Sequence, residues 1–97
     1  MVSLRFEWDG SKAEENRKKH GVTFEEAKTV FFDEGGLLLP DPAHSEGEER
    51  FVLLGMCLSL RLLIVCHCYR SDDEVIRVIS ARKANRSERK QYGERWK

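Results

Sequence analysis

The stretch 61-RLLIVCHCYRSDDEVIRVISA-81 decides the fold of this 97-residue chain. Two apolar runs rich in β-branched residues flank the turn-forming residues 71–73, which predicts an antiparallel hairpin. If Arg70 pairs with Glu74, His67 lies opposite Arg77 and both side chains share one face. That face is predicted to include Arg61 as well. The opposite face would be purely apolar and is expected to hold the helices.

Sequence patterns on either side of the hairpin predict the remaining elements. Asp9-Gly10-Ser11 begins a helix that ends at Gly21, and Thr23-Phe24-Glu25-Glu26 is a capping box for a second helix that ends at Gly35-Gly36. Asn85 with Glu88 caps a third helix. The predicted strands cover residues 4–8, 37–39, 50–56, 61–70 and 75–81. The order β-α-α-β-β-β-β-α predicts one α+β domain over residues 1–97, an antiparallel sheet with two N-terminal helices and a C-terminal helix.

Composition excludes several classes of protein. Apolar residues make up 40% and charged residues 35%, which is too apolar for a disordered chain and too charged for a membrane protein. The longest apolar run, residues 60–68, is interrupted by Arg61 and His67, and the N-terminus lacks the apolar core of a signal peptide. Three cysteines, an odd number, indicate free thiols in a reducing compartment. We therefore expect a cytoplasmic protein.

The net charge of zero hides an asymmetry between the two parts of the chain. Residues 1–60 carry 7 basic and 12 acidic side chains, a net charge of −5, whereas residues 61–97 carry 10 basic and 5 acidic side chains, a net charge of +5. A basic region attracts polyanions and an acidic region repels them. The sequence therefore favours a local anion-binding surface over non-specific coating of nucleic acid.

Two groups of metal-ligand residue types have a simpler explanation. Neighbouring residues of a strand point to opposite faces, so the side chains of Cys66-His67-Cys68 cannot easily converge on one ion, and buried thiols are expected instead. The segment 41–49 contains Asp41, His44 and three glutamates, but its spacing fits no known site and a solvated acidic loop is expected. We expect neither a metal nor another cofactor.

Two groups of basic residues are candidates for an anion site. In the first helix, pairing with the helix dipole explains the basic residues at 17–20, but Lys19 and His20 on the last turn are able to face an anion. In the C-terminal region, Arg77, Arg82 and Lys83 precede a helix that carries Arg86, Arg89 and Lys90. A solvated helix with a few ion pairs is the alternative. Tyr92 and Trp96 could stack on a base or pack on the core.

Several segments together match a known pattern. They are Phe6-Glu7-Trp8-Asp9, Lys19-His20-Gly21-Val22, Phe24-Glu25-Glu26-Ala27, His44-Ser45-Glu46-Gly47, Arg61-Leu62-Leu63 and Arg77-Val78-Ile79-Ser80-Ala81-Arg82-Lys83-Ala84, closed by Glu88 and Tyr92. In these segments the chain resembles the BrnT family. The resemblance implies a RelE-like fold and a ribonuclease toxin of a type II toxin–antitoxin module. It also implies a BrnA-like ribbon-helix-helix antitoxin, a dimer or heterotetramer with it, and contact with operator DNA only through the antitoxin.

One position departs from the family pattern. The family usually has glycine immediately before the arginine that corresponds to Arg61, whereas this chain has Leu60 in the run Leu58-Ser59-Leu60. A tight turn there lacks the residue that most readily adopts a left-handed backbone. The same apolar turn could also be a surface that faces a partner.

The predicted mechanism is metal-independent RNA cleavage, which requires a base, a cation that stabilises the phosphorane and an acid for the leaving 5′-oxygen. Because arginine is a poor base, Arg61, Arg77 and Arg82 are predicted to hold the phosphate. His67 is the preferred proton-transfer group. Lys19 or His20 is the alternative, and Tyr92 is a weaker one. Lys19, His20, Lys83 and Tyr92 are also predicted to contact the substrate.

The expected function is an endoribonuclease toxin that arrests translation and growth until the antitoxin neutralises it. Two alternatives use the same basic residues without chemistry. One is a non-catalytic RNA-binding or corepressor module, and the other is a subunit whose basic face only receives an acidic segment of the antitoxin.

Overall fold

A computed structural model describes residues 4–41, 49–71 and 73–94, which form an α+β fold with one five-stranded sheet. The strands are β1 (Arg5–Glu7), β2 (Leu37–Pro40), β3 (Phe51–Met56), β4 (Leu62–Arg70) and β5 (Val75–Lys83). The helices are α1 (Gly10–His20), α2 (Phe24–Lys28) with a 3₁₀ turn over Thr29–Phe32, and α3 (Arg86–Glu94). The predicted fold class and order of elements are confirmed.

The strand order in the sheet is β1-β5-β4-β3-β2. Strands β2 to β5 pair antiparallel, as predicted, whereas the short edge strand β1 pairs parallel to β5. The two N-terminal helices lie between β1 and β2 in the sequence, and these two strands form opposite edges of the sheet. None of the helices within the described part of the chain is long and apolar enough to span a membrane.

Both N-terminal helices begin at the residues that the sequence predicts. The Asp9 carboxylate accepts hydrogen bonds from the backbone N–H of Ser11 at 2.8 Å, and α1 ends at Gly21, which has a left-handed backbone with φ 69°. Thr23 caps α2 by accepting from the backbone N–H of Glu26 at 3.0 Å. Only this half of the capping box forms, because the Glu26 carboxylate points to the β3–β4 turn instead.

The sheet carries an apolar cluster on each face. Helices α1 and α2 cover the first face, where Leu63, Val65 and Val78 pack with Phe24 and other buried residues. The second face holds a smaller cluster of Leu54, Leu62, Ile64 and Ala84, against which Tyr92 of α3 packs. The prediction that the face opposite His67 holds the helices was therefore wrong for α1 and α2, which lie on the face of Leu63 and Val65.

The register of the β4–β5 hairpin also differs from the prediction. Arg70 pairs with Val75 rather than with Glu74, because Glu74 belongs to the turn, where its N–H donates to the Ser71 carbonyl at 3.1 Å. His67 consequently pairs with Val78, and Arg77 pairs with Cys68. His67 and Arg77 lie on opposite faces of the sheet, and the predicted pair does not exist.

A buried asparagine joins α1 to β5. Asn16, which is 6% exposed, donates to the carbonyls of Val22 at 2.9 Å and Ala81 at 2.8 Å. Its side-chain oxygen accepts from the Ala81 N–H at 3.0 Å. The two bonds with Ala81 satisfy the backbone of β5 beyond the end of β1, and the three bonds together fix α1 along that edge.

Candidate functional site

A β-bulge in β5 brings two predicted phosphate-binding arginines onto one face of the sheet. Cys66 pairs with Ser80 and His67 with Val78, so Ile79 is an extra residue without a partner in β4. Arg77 and Arg82 are five positions apart and would point to opposite faces of a regular strand. With the bulge they lie opposite Cys68 and Ile64, which share one face. This is the second face, away from α1 and α2.

Both of these arginines are held by carboxylates of the same chain. Arg77 donates to Glu7 of β1 at 2.6 Å. Arg82 forms two parallel hydrogen bonds with Glu88 of α3, at 2.8 and 2.9 Å. The guanidinium of Arg82 lowers the pKa of Glu88. Glu88 also accepts from the backbone N–H of Asn85, so one carboxylate caps α3 and orients Arg82.

The third predicted arginine, Arg61, is bound to Glu26 of α2. Arg61 Nε donates to a Glu26 oxygen at 3.0 Å, its terminal nitrogen contacts the other oxygen, and it also donates to the Gly21 carbonyl at 3.1 Å. The Ser59 hydroxyl donates to the same carboxylate. The hydrogen bond from Arg61 contributes most to lowering the pKa of Glu26 from 4.5 to about 2, and that from Ser59 adds to it. Arg61 therefore fastens the β3–β4 turn to α2.

The turn that contains Leu60 has the geometry expected from the family pattern. Leu60 N–H donates to the Cys57 carbonyl at 3.0 Å, and Cys57 N–H donates to the Arg61 carbonyl at 2.9 Å. Leu60 adopts a left-handed backbone with φ 64°. The position is therefore one that glycine would occupy without strain, as the departure from the family pattern predicted.

Three of the predicted site residues line one cleft of about 320 Å³, together with Arg89 of α3. They are Arg61, Lys83 and Tyr92. The Tyr92 hydroxyl donates to the Asp33 carboxylate at 2.6 Å, which fixes the ring at the edge of the cleft. The cleft thus combines cations with an aromatic ring, as nucleic-acid sites do.

The other two predicted substrate contacts, Lys19 and His20, line a groove of about 260 Å³ between α1 and β5. Lys12 shares the groove, and Ile79 and Ser80 of the bulge form its opposite wall. Ser80 pairs with Cys66 on the sheet, so it also adjoins the face of Arg77 and Arg82. The bulge therefore connects the α1 groove to the second face of the sheet.

His67 lies in the core, contrary to its predicted position beside the arginines. Its side chain is 0% exposed and packs against Phe31, with ring centroids 4.8 Å apart. Its ring nitrogens lie 3.1 Å from the Val65 carbonyl and 3.3 Å from the Tyr69 hydroxyl. Burial lowers the pKa of His67, which favours the neutral ring. This position gives no support to the predicted proton transfer to RNA.

The thiols are free, as predicted. Cys57 and Cys68 are buried, and Cys66 is half-buried with Sγ 3.9 Å from the Asp41 carboxylate. Burial raises the pKa of Cys66. Among the residues that the structure describes, no three His, Cys, Asp or Glu side chains are grouped as metal ligands. Residues 42–48 of the acidic loop and Trp96 lie outside the described residues.

The residues that sequence reasoning missed are the acidic partners of the arginines. The sequence separations within the pairs are 70 residues for Glu7–Arg77, 35 for Glu26–Arg61 and 6 for Glu88–Arg82, and no regular spacing indicates any of them. The sequence assigned Glu26 and Glu88 to helix capping. No local pattern indicates the Glu7–Arg77 pair, because it depends on β1 lying parallel to β5.

Comparison with known proteins agrees with this fold. A family model described as "Ribonuclease toxin, BrnT, of type II toxin-antitoxin system" matches residues 8–88. The crystal structure of the Brucella abortus ribonuclease toxin BrnT is similar, with a TM-score of 0.67 and 23% sequence identity over 87% of this chain and 100% of that chain. At this identity the likeness shows a shared fold. No curated protein matches the chain significantly.

Proposed function

Because the chain belongs to the BrnT family of ribonuclease toxins of type II toxin–antitoxin systems, we propose that it is a metal-independent endoribonuclease whose substrate lies along the second face of the sheet. In this proposal Arg77 and Arg82 bind the RNA phosphates. The backbone then extends past Ser80 to the α1 groove and past Lys83 to the cleft beside Tyr92.

The β-bulge at Ile79 is the observation that carries the proposal. It turns two arginines toward the same surface of a strand that would otherwise separate them. Bulges commonly re-aim side chains near active sites. The exposed Ser80 lies between the two arginines on that surface.

The ion pairs set the geometry in which the arginines meet a phosphate. Glu88 holds Arg82 through two parallel hydrogen bonds, the same arrangement in which guanidinium binds phosphate. The Arg82 side chain is 42% exposed, so it is accessible from solvent on one side. When RNA binds, a phosphate replaces the Glu88 carboxylate as the partner of Arg82, and Glu88 continues to cap α3.

The proton-transfer role passes from His67 to His20 in this proposal. His20 is half-buried in the α1 groove, next to Lys19 and across from Ser80. An imidazole can exchange protons near neutral pH, and a neighbouring ammonium supplies positive charge for the phosphorane. In this step the 2′-oxygen bonds to phosphorus as the bond to the 5′-oxygen breaks; His20 takes the 2′-hydroxyl proton and then, as the imidazolium, donates a proton to the leaving 5′-oxygen.

The experiment compares RNA cleavage by purified wild type with that by Arg82→Ala and His20→Gln, in buffer with EDTA. We expect each variant to lose about 10²-fold or more in rate. Arg86→Ala is the matched control, because Arg86 is an exposed cation in the first turn of the same helix as Glu88. Full activity in both variants would refute the site, and loss of wild-type activity in EDTA would refute the metal-independent mechanism.

A non-catalytic RNA-binding module is the second candidate, and one observation favours it. Each of the three predicted phosphate-binding arginines is already paired with a carboxylate, and the histidine closest to them in the sequence is buried. RNA that binds to wild type and to His20→Gln with equal affinity, without cleavage by either, would establish this candidate instead.

The family entails an antitoxin partner, and its identity is part of the proposal. We infer that the antitoxin is a BrnA-like ribbon-helix-helix protein and that operator DNA is contacted only through it. Co-expression should give a heteromeric complex that binds operator DNA, while the toxin alone should not. Operator binding by the toxin alone would refute this inference.

A further inference from the structure

The β3–β4 turn exposes two leucines more fully than any other large apolar side chain among the residues described. Leu58 is 77% exposed and Leu60 is 81% exposed. The next most exposed, Phe32, reaches 61%. Single exposed leucines are common on protein surfaces, but Leu58 and Leu60 place two of them on one turn.

The backbone that presents these leucines is held in place from several sides. Leu58 N–H donates to the Thr29 hydroxyl at 3.0 Å, and the Glu26 carboxylate accepts from Ser59 and Arg61. Leu60 keeps a left-handed backbone that a branched side chain disfavours. The exposure is therefore a property of an ordered turn, and the two side chains are pre-organised for contact.

Positive charge lies beside Leu60. Leu60 lines the same cleft as Lys83 and Arg89. Neither cation forms an ion pair within the described ranges 4–41, 49–71 and 73–94, whereas Arg61 in the same cleft is held by Glu26. The surface thus offers two apolar contacts and two available positive charges.

We propose that this surface, formed by Leu58, Leu60, Lys83 and Arg89, docks the antitoxin through a segment with apolar side chains on one side and carboxylates beside them. This inference rests on the proposed function, which requires an antitoxin. The carboxylates of the segment are inferred from charge complementarity to Lys83 and Arg89. A bound segment also covers Lys83 and Tyr92. RNA and antitoxin then compete for this end of the proposed substrate path.

The probes are two labelled helical peptides of equal length and charge. One carries leucine on one side and glutamate on the flanking positions, and the other replaces each leucine with serine. Fluorescence anisotropy with the full chain measures both affinities over a range of salt concentrations. We expect the leucine peptide to bind at least tenfold more tightly than the serine peptide, with affinity that falls as salt rises.

Substitutions at the turn separate contact from folding. Leu58→Ser should weaken binding of the leucine peptide about tenfold. Leu60→Gly should weaken binding by the same factor but raise the thermal midpoint of unfolding, because glycine adopts the left-handed backbone without strain. A merely structural role for Leu60 cannot give these opposite changes. Leu38→Ser is the matched control, since Leu38 is a 48% exposed leucine of β2 at the edge of the sheet.

The charge component has its own pair of variants. Arg89→Gln should weaken binding of the leucine peptide and reduce the salt dependence of that binding. Lys90→Gln, at the neighbouring exposed position of α3 outside the cleft, should leave both unchanged. Equal effects of Arg89→Gln and Lys90→Gln would contradict a specific cationic contact.

Three results would overturn the proposal. The first is equal affinity for the leucine and serine peptides. The second is that Leu58→Ser loses affinity for a short RNA oligonucleotide but keeps its affinity for the leucine peptide. The third is that the wild-type toxin sediments as a dimer and Leu60→Gly sediments as a monomer. The last two would assign the leucines to RNA or to a second copy of the chain. RNA cleavage by Leu58→Ser at the wild-type rate keeps this test separate from that of the ribonuclease activity.

Discussion

Glu26→Gln tests how far one half-buried carboxylate organises the site. The Glu26 side chain is 18% exposed, and it accepts hydrogen bonds from Arg61, Ser59 and Cys57. The substitution keeps the shape of the side chain and one acceptor oxygen but removes the negative charge. It leaves the Arg61 guanidinium without its charged partner, and we expect the β3–β4 turn to loosen from α2.

The pKa of Glu26 gives the size of the effect. Its fall from 4.5 to about 2 corresponds, at 1.36 kcal/mol for each pKa unit, to about 3.4 kcal/mol. Solvent screening at the partly exposed Arg61 reduces this value, so we expect a loss of roughly 1–3 kcal/mol at pH 7. Because the folded-state pKa is depressed, this stabilisation is present above pH 4.5 and disappears as the pH falls through about 2.

Urea unfolding of wild type and Glu26→Gln between pH 7 and pH 2 measures both quantities. We expect the free energies of unfolding to differ at pH 7 and to converge as the pH falls below 4.5. Glu25→Gln is the matched control, since Glu25 pairs with Lys28 at the surface of the same helix and should change stability by less than about 1 kcal/mol. Equal stability at pH 7, or a difference that persists at pH 2, would refute the reasoning.

Three further substitutions test the fold around the site. Asn16→Ala should lower the free energy of unfolding by roughly 2–4 kcal/mol, because buried backbone groups of Ala81 lose their partner; a smaller change in urea unfolding would contradict this. Gly55→Ala should cost roughly 1–3 kcal/mol, since its Cβ would lie 2.7 Å from Val30 Cγ1, and an unchanged thermal midpoint would argue otherwise. His67 has a lowered pKa, so wild type should lose stability as the pH falls below 6.5, and the difference from His67→Gln should narrow by pH 5.

The sequence predicted the elements of the fold because their signals are local. The Thr23 cap, the Gly21 stop and the alternation along β4 depend on neighbours a few residues away, and each element begins or ends within a few residues of its predicted position. The parallel pairing of β1 was not predictable in this way. It depends on tertiary packing, because α1 and α2 separate β1 in the sequence from the other strands of the sheet.

The candidate site was harder to predict because its geometry depends on register. A turn longer by one residue pairs His67 with Val78 instead of Arg77, so Arg77 lies on the other face of the sheet. His67 is buried because it lies on the face of Leu63 and Val65, which α1 and α2 cover. The bulge at Ile79 then restored Arg77 and Arg82 to one face. Neither irregularity has a clear signal in the sequence, since no glycine or proline lies within residues 71–83. The left-handed backbone at Leu60 agrees with the expectation because that expectation came from the family pattern, which has glycine at this position.

The charge asymmetry of the chain takes a different meaning in the structure. The acidic first part and the basic last part meet through Glu7–Arg77 and Glu26–Arg61, so two of the cations expected to attract RNA instead join the two parts of the fold. The cations without ion pairs in the described ranges, such as Lys19, Lys83 and Arg89, lie in the groove and the cleft on either side of those pairs. In the proposed ribonuclease, the cations of the groove and the cleft would therefore supply the long-range attraction of RNA, and Arg77 and Arg82 would contribute when a phosphate replaces their carboxylate partners. On this argument, neutralising a marginal lysine should reduce the rate of RNA association, whereas neutralising Arg82 should reduce cleavage of RNA that is already bound.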